Sequence, residues 1–292
     1  MGCRSGGVMM EFARRYGATA LLVLASGQPG MAAAPTLMPG AAQIIASGAF
    51  TEGRRKDGQG GGTFRKDEIE GLAEYGLLDG LTILFSPRLT VQSVSRFAAV
   101  TAGDDVTLVA GGRRVDAGGS GRLGFRARVL KGERDVVSLE VSGRGGAQAD
   151  DIASPVMRRA AEIEARVLWQ RKFHLMGKPW FVDLQAGYRH FFGAATRWEA
   201  ARSDGEGVFD ATLGVHVTPR LMLLLQNFST FPVGVSGPPG GRNGSSHKAQ
   251  ASLAWKLSPV WTLQAGVLGT WAGGTAWRER GIVVGVWRRF GG

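Results

Sequence analysis

WFVDLQAGYRHF, residues 180–191, separates into two rows when every second residue is read. Trp180, Val182, Leu184, Ala186 and Tyr188 form an apolar row, while Asp183, Gln185 and Arg189 fall in the other. A period of two is that of a β-strand with one apolar and one polar face. In a soluble protein the apolar row faces a core. In an outer-membrane barrel it faces lipid, and the polar row faces the lumen. The surrounding sequence has to decide between them.

The pattern recurs along the chain. Ile44, Ala46, Gly48 and Phe50 share one row near residues 43–50, and Ile69, Gly71, Ala73 and Tyr75 alternate with Glu68, Glu70 and Glu74. Leu81, Ile83, Phe85, Leu89 and Val91 share a row opposite Arg88, and Leu123, Phe125, Ala127 and Val129 alternate with Arg122, Arg126 and Arg128. Val137, Leu139 and Val141 oppose Glu140; Ile163, Ala165, Val167 and Trp169 oppose Glu162, Glu164 and Arg166. Later segments set Phe209, Leu213 and Val215 against Asp210, Leu253 and Trp255 against Lys256, and Leu263, Ala265 and Val267 against Gln264. RLMLLLQNF, 220–228, is apolar on both rows, and GIVVGVWRRF, 281–290, closes the series. With the opening stretch, these segments predict twelve strands.

The connections are more telling than the strands. Leu78-Asp79-Gly80, 131–135, 176–178 and the joins at Pro219 and Pro259 are tight, and Asp79-Gly80 suits a two-residue hairpin turn. Between them fall long connections, at roughly 51–65, 94–119, 146–159, 193–205, 231–245 and 272–278. Strict alternation of long and short is the habit of outer-membrane barrels, with short periplasmic turns and long external loops. An even strand number returns both termini to the periplasm. Two segments leave alternatives open. VTLVAGGRRV, 106–115, suits a further strand or an excursion within a loop, and PVMRRAAEIEA, 155–165, could start as a helix.

The amino end reads as an address. Arg14 and Arg15 precede a short apolar run, YGATALLVLASG, and Ala32-Ala33-Ala34 offers an A-x-A cleavage site, with Ala25-Ser26-Gly27 as a second candidate. Residues 1–34 are therefore expected to be a signal peptide and 35–292 the barrel. After residue 35 no apolar run reaches the roughly 18 residues of a transmembrane helix. The single cysteine, Cys3, lies in the expected signal, and the four histidines show no metal-ligand spacing.

The chain carries 46 glycines and a formal net charge of +11. Such a balance suits anionic lipid phosphates as well as nucleic acid. Its bases are scattered rather than clustered with aromatics, so nucleic acid is not expected as a partner. The basic stretch TEGRRKDGQGGGTFRK, 51–66, reads as a solvated loop or as one that meets lipopolysaccharide phosphates. On a barrel reading, the acids Glu68, Glu70, Glu74, Glu140, Glu162, Glu164, Asp183 and Asp210 all point into the lumen. So do the bases Arg88, Arg122, Arg126, Arg128, Arg166, Arg189 and Lys256. Charges of both signs inside a narrow barrel cross-link its walls and leave a small pore or none. A hydrolase needs a nucleophile within reach of a base, and neither His190 nor His216 has a serine in such a position by sequence. No catalytic residue, cofactor or metal is expected.

Several phrases together resemble a proteobacterial outer-membrane β-barrel family, some of whose members are labelled XagA-like or occur beside exopolysaccharide and cellulose systems. They are AAQIIASGAF, EIEGLAEYGLLDGLTILFSPRL, EARVLWQRKF, FVDLQAGYRHF, DATLGVHVTPRLMLLLQNF and GIVVGVWRRF. The resemblance spans nearly all of the expected mature chain and brings no catalytic residues. It implies a partner in exopolysaccharide export or surface attachment, beside outer-membrane lipid, lipopolysaccharide and the barrel-assembly machinery. Two glycines follow Phe290, and Arg288 stands where an apolar residue or Tyr is usual in such barrels.

The expectation is all-β: an antiparallel up-and-down transmembrane barrel of twelve strands in a Gram-negative outer membrane, not an enzyme. An outer-membrane hydrolase acting on lipid and a soluble periplasmic β protein are the competing readings.

Overall fold

A computed structural model of the chain describes residues 34–55, 62–102, 105–150, 154–192, 205–233, 245–273 and 277–291. The expected signal lies outside them except for Ala34. Twelve strands run in order: β1 Ala42–Arg55, β2 Gly62–Leu78, β3 Leu81–Ala102, β4 Asp105–Lys131, β5 Asp135–Asp150 and β6 Ser154–Leu175. The second half holds β7 Lys178–Phe192, β8 Gly205–His216, β9 Leu221–Val233, β10 Ser246–Lys256, β11 Trp261–Gly273 and β12 Trp277–Phe290. Each pairs with its sequence neighbours, and β1 pairs antiparallel with β12 from Ala42↔Phe290 to Arg55↔Trp277, which closes the ring. Closure leaves no edge strand in the ring.

The alternation decides which side chains are enclosed. On β7, Asp183 is 1% exposed while Tyr188 on the other row stands outside. On β11, Gln264 is 4% exposed and Val267 is 59% exposed. The outward row carries Leu89, Leu123, Val141, Ile163, Leu253, Val267 and Ile282, all exposed. A soluble protein rarely leaves so continuous an apolar surface uncovered.

The short connections are true turns. Gly80 takes φ +78°, and Met176 and Gly177 take 52° and 70°, the left-handed pair that a tight hairpin requires. At 217–220 the Thr218 hydroxyl accepts from the Leu221 amide at 3.0 Å, and at 257–260 the Ser258 hydroxyl accepts from the Trp261 amide at 3.1 Å.

The long connections differ from their expected form. Much of 94–119 is paired: β3 and β4 continue as a ladder to Ala102↔Asp105. Residues 106–115 belong to β4 itself, so the ring stays at twelve. Residues 155–165 are strand in β6, with Met157↔Ala149 and Glu162↔Arg144 in register, not the start of a helix. Here tertiary pairing overrides local propensity, because a neighbouring strand offers every backbone group a partner.

Glycine matters where an aromatic ring covers the backbone. The Phe181 ring occupies the space over Gly214, so that an added Cβ would lie 2.1 Å from Phe181 Cε1. Phe181 is itself packed in the interior, so the ring has little room to yield. Gly214→Val is expected to cost about 1–3 kcal/mol, the range for overpacking a filled site. The urea midpoint of the folded, heat-modifiable form, read on unboiled gels, checks it.

Candidate functional site: the enclosed face of the barrel

Inward rows of β2 to β8 supply a continuous ionic network. At its centre Arg166 of β6 bonds Glu164 on its own strand and Asp210 of β8, and donates to Gln185 Oε1 of β7 at 3.1 Å. Glu164 also accepts from Arg189 of β7, at 2.7 Å from Nε. Arg189 reaches on to Glu206 of β8 at 3.4 Å and lies 3.7 Å from Glu162. Arg144 of β5 approaches Glu162 at 3.5 Å and Glu70 of β2 at 4.0 Å. Arg88 Nη2 donates to Glu70 at 2.7 Å. Nearer the end with the short turns, Arg126 of β4 joins Glu140 of β5 at 2.8 Å to Glu74 of β2 at 2.9 Å. Towards the opposite rim Glu279 of β12 collects Lys248 at 2.6 Å, Lys66 at 3.1 Å and the Thr51 hydroxyl at 2.7 Å. Between β9 and β10 the contacts are neutral: Gln250 Nε2 donates to Gln226 at 3.0 Å and to Ser252 at 2.8 Å.

Some enclosed polar atoms have no hydrogen-bond partner among the described residues: Gln92 Nε2, Ser120 Oγ, Arg122 Nε, Arg144 Nε, Gln170 Oε1, Thr230 Oγ1 and both amide atoms of Gln264. Arg144 Nε lies within ion-pair distance of Glu162, but its N–H is not directed at that oxygen. Burying such atoms dry is costly, and ordered water is their usual partner.

An apolar layer occupies the end of the same face that holds the short turns. Ile45, Phe181, Leu224, Ala254 and Trp287 form one buried cluster, with Leu72 and Met222 packed against it. Its members come from β7, β9, β10, β12 and β1, so the layer follows the inner wall along that arc of the ring. Beside this layer runs the chain before β1. Ala34 is buried; its amide donates to Asp183 at 3.2 Å, and its carbonyl accepts from Ser138 of β5. The Leu37 amide donates to Thr82 of β3 at 2.9 Å, and the Gly40 amide to the Gly76 carbonyl at 2.9 Å. Gly76 permits this approach: a Cβ there would lie 2.1 Å from the Met38 carbonyl oxygen. Thus residues 34–41 line the inner wall of β2 to β7.

Of the residues named from the sequence, Glu70, Glu74, Arg126, Glu140, Glu162, Glu164, Arg166, Asp183 and Asp210 are buried on the enclosed face. Glu68, Arg88, Arg122 and Arg189 are half-buried there. Two stand apart. Arg128 lies at the β2–β3 turn, where Nη2 donates to both Asp79 carboxylate oxygens at 2.7 Å, and Lys256 ends β10 exposed. Those hydrogen bonds from Arg128 hold the Asp79 carboxyl below its ordinary pKa. Sequence reading missed Lys66, Arg144, Glu206, Lys248 and Glu279, which share row parity with residues it named and lie within three residues of the edge of an expected loop.

Outside the ring the structure makes a pairing the sequence hid. His247 Nδ1 lies 2.9 Å from Ser229 Oγ, to which Asn227 Nδ2 also donates at 2.9 Å, and Trp271 Nε1 donates to Asn227 at 3.0 Å. Ser229 is 4% exposed and already engaged by both neighbours. Phe231 and Trp271 flank the imidazole at centroid distances of 5.1 and 5.6 Å, as in an interfacial aromatic belt. Among the described residues no group of His, Cys, Asp and Glu is placed to hold a metal ion.

No family model and no curated protein matches the chain. Among solved structures it is similar to an outer membrane channel from Pseudomonas putida F1, with a TM-score of 0.60 and 16% identity over 91% of this chain and 100% of that one. The transport unit of the autotransporter AIDA-I from Escherichia coli matches at TM-score 0.49 and 8% identity, covering 96% of this chain and 97% of that one. The KdgM porin in complex with disordered oligogalacturonate matches at 0.48 and 9%, covering 85% and 99%. At such identities the likeness is one of fold: this chain is a closed, twelve-stranded antiparallel barrel like those of outer-membrane proteins.

Proposed function

We propose that the protein is an integral outer-membrane channel of a Gram-negative bacterium, exported by a cleaved signal, without enzymatic activity. Its hydrated lumen is narrowed by ionic cross-links and closed at rest near the periplasmic side. The carrying observation is a ring that is apolar outside and ionic inside, with Val267 exposed and Asp183 enclosed. Only lipid makes that arrangement favourable. Unpartnered polar atoms along the lumen favour water there, and the apolar layer with residues 34–41 favours a barrier at one end. The passing solutes are small and polar, since the charged walls exclude bulky ones.

Boiled and unboiled membrane extracts should migrate differently on a gel, and the protein should float with vesicles. Recovery in the aqueous fraction without detergent would point instead to a soluble β protein. Joining Ala34 directly to Ala41, and so omitting residues 35–40, should raise conductance in planar bilayers several-fold. An unchanged conductance would remove that segment from the barrier. His247→Ala should leave lipid turnover in the outer membrane as it was; a fall would favour the hydrolase reading.

A second role, surface attachment or export of an exopolysaccharide, rests on the family resemblance and on strand length. β4 spans 27 residues, whereas about 9–11 cross a membrane. The β3–β4 and β5–β6 hairpins therefore stand well above the outer leaflet, where a polymer would pass. Loss of surface-bound polysaccharide on deleting the gene, restored by the intact barrel but not by one trimmed between 94 and 119, is the expected result.

A further inference from the structure

We propose that the outward face of β12, β1 and β2, at the external end of the barrel, binds the phosphates of lipopolysaccharide through Arg54 and Arg278, with Arg65 and Arg280 beside them. The register builds a grid of outward side chains. Arg280, Glu52 and Arg65 stand opposite one another on the three strands, and Arg278, Arg54 and Thr63 form the next row outward. Both acids of the patch are engaged. Glu52 accepts from Arg280 at 2.7 Å, and Asp67 from Arg65 at 3.2 Å. Arg54 and Arg278 face each other across the β1–β12 ladder, and neither has an acidic partner among the described residues. Like charges directly opposite on one face of a sheet repel, and an anion held between them reverses the sign of that interaction. Phosphate fits because guanidinium groups bind it bidentately.

Height selects the source of the phosphate. Ile282 and Phe50 sit in the row just inside the grid, and below them the outward face of this wall is apolar down to Ile44. There Arg288 stacks over Trp261 at 5.0 Å and over Phe290 at 4.5 Å, an arrangement suited to a periplasmic interface. Arg288 pairs with Ile44 and Arg280 with Glu52. At strand rise and barrel tilt, those eight steps span roughly 20 Å, close to the roughly 25 Å apolar band of such barrels. The arginine rows thus lie at the outer-leaflet headgroups. The enclosed face holds at least as many acids as bases among the described residues, so the chain's positive excess does not reside there.

This inference rests on the membrane reading above. Vesicle flotation of the wild-type barrel tests that reading separately. For the site itself, the probes are bisphosphorylated lipid A and the same lipid A stripped of phosphate, added to the detergent-refolded barrel and followed by native mass spectrometry. Wild type should retain the bisphosphorylated form selectively. Arg54→Gln/Arg278→Gln should bind it about 30-fold more weakly, near the loss expected for two interfacial charges, and Arg54→Lys/Arg278→Lys should recover only part of the affinity, since an ammonium restores the charge but not the bidentate pairing. Should the double glutamine variant lose heat-modifiable migration, Arg278→Gln alone serves, with a smaller loss. Equal binding of both lipids, unchanged binding by the glutamine variants, or displacement by inorganic phosphate at the concentration of the lipid would each overturn the proposal.

Discussion

Trp287→Ala is expected to raise the single-channel conductance of the reconstituted barrel several-fold, whereas Trp287→Phe is not. Trp287 of β12 belongs to the buried cluster of Ile45, Phe181, Leu224 and Ala254. An apolar constriction of this kind bars ions by excluding water rather than by filling every gap. Removing its largest side chain lets water through. The indole Nε1 is buried without a hydrogen-bond partner among the described residues. A phenylalanine therefore keeps a ring in place while removing an unsatisfied donor, and stability should hold or rise. The alanine variant should lose about 3–5 kcal/mol, as large-to-small changes in packed cores do. Conductance in planar bilayers and urea midpoints on unboiled gels provide both readouts. Wild-type conductance from a folded alanine variant would mean that the barrier lies elsewhere.

Arg166→Met is the substitution with the greatest expected cost to stability. Its guanidinium joins Glu164, Asp210 and Gln185, across three strands. Glu164 would keep Arg189, but Asp210 would be left enclosed without the cation that faces it. Leaving a buried charge uncompensated costs about 3–5 kcal/mol, more than the pair is worth relative to apolar residues of the same size. Adding Asp210→Asn should therefore recover much of the loss. A double-mutant cycle should give a coupling of about 0.5–3 kcal/mol. Arg166→Lys should fall between, since one ammonium cannot span the same three acceptors. Urea titration of the refolded barrel measures each value. An Arg166→Met barrel within about 0.5 kcal/mol of wild type, the size of a neutral surface change, would show that the lumen there is wet enough to solvate the carboxylates.

Much of the enclosed face can be read from parity. Once Asp183 and Glu164 are assigned inward, Gln185 and Arg166 follow, because successive side chains on a strand alternate. Lys66, Arg144 and Glu279 obey the same rule but lie at the edges of the expected strands. The apolar layer was harder to see. RLMLLLQNF is greasy on both rows, so period two could not show that Leu224 and Met222 turn inward, and Phe181 shares its row with Asp183, Gln185 and Arg189. The external network of Asn227, Ser229, His247 and Trp271 joins positions up to 44 residues apart, which no local pattern connects.

By itself the amino-acid sequence determined the strand count, the rhythm of turns and the side of the sheet on which each residue lies, because these depend on backbone pleat and turn chemistry, which act over two to four residues. Only the tertiary structure decided who meets whom. Arg166 finds Asp210, Phe181 covers Gly214, Arg54 faces Arg278 and Leu37 reaches Thr82 because ring closure and inter-strand register fix positions far apart in the chain, and neither is written in any single strand.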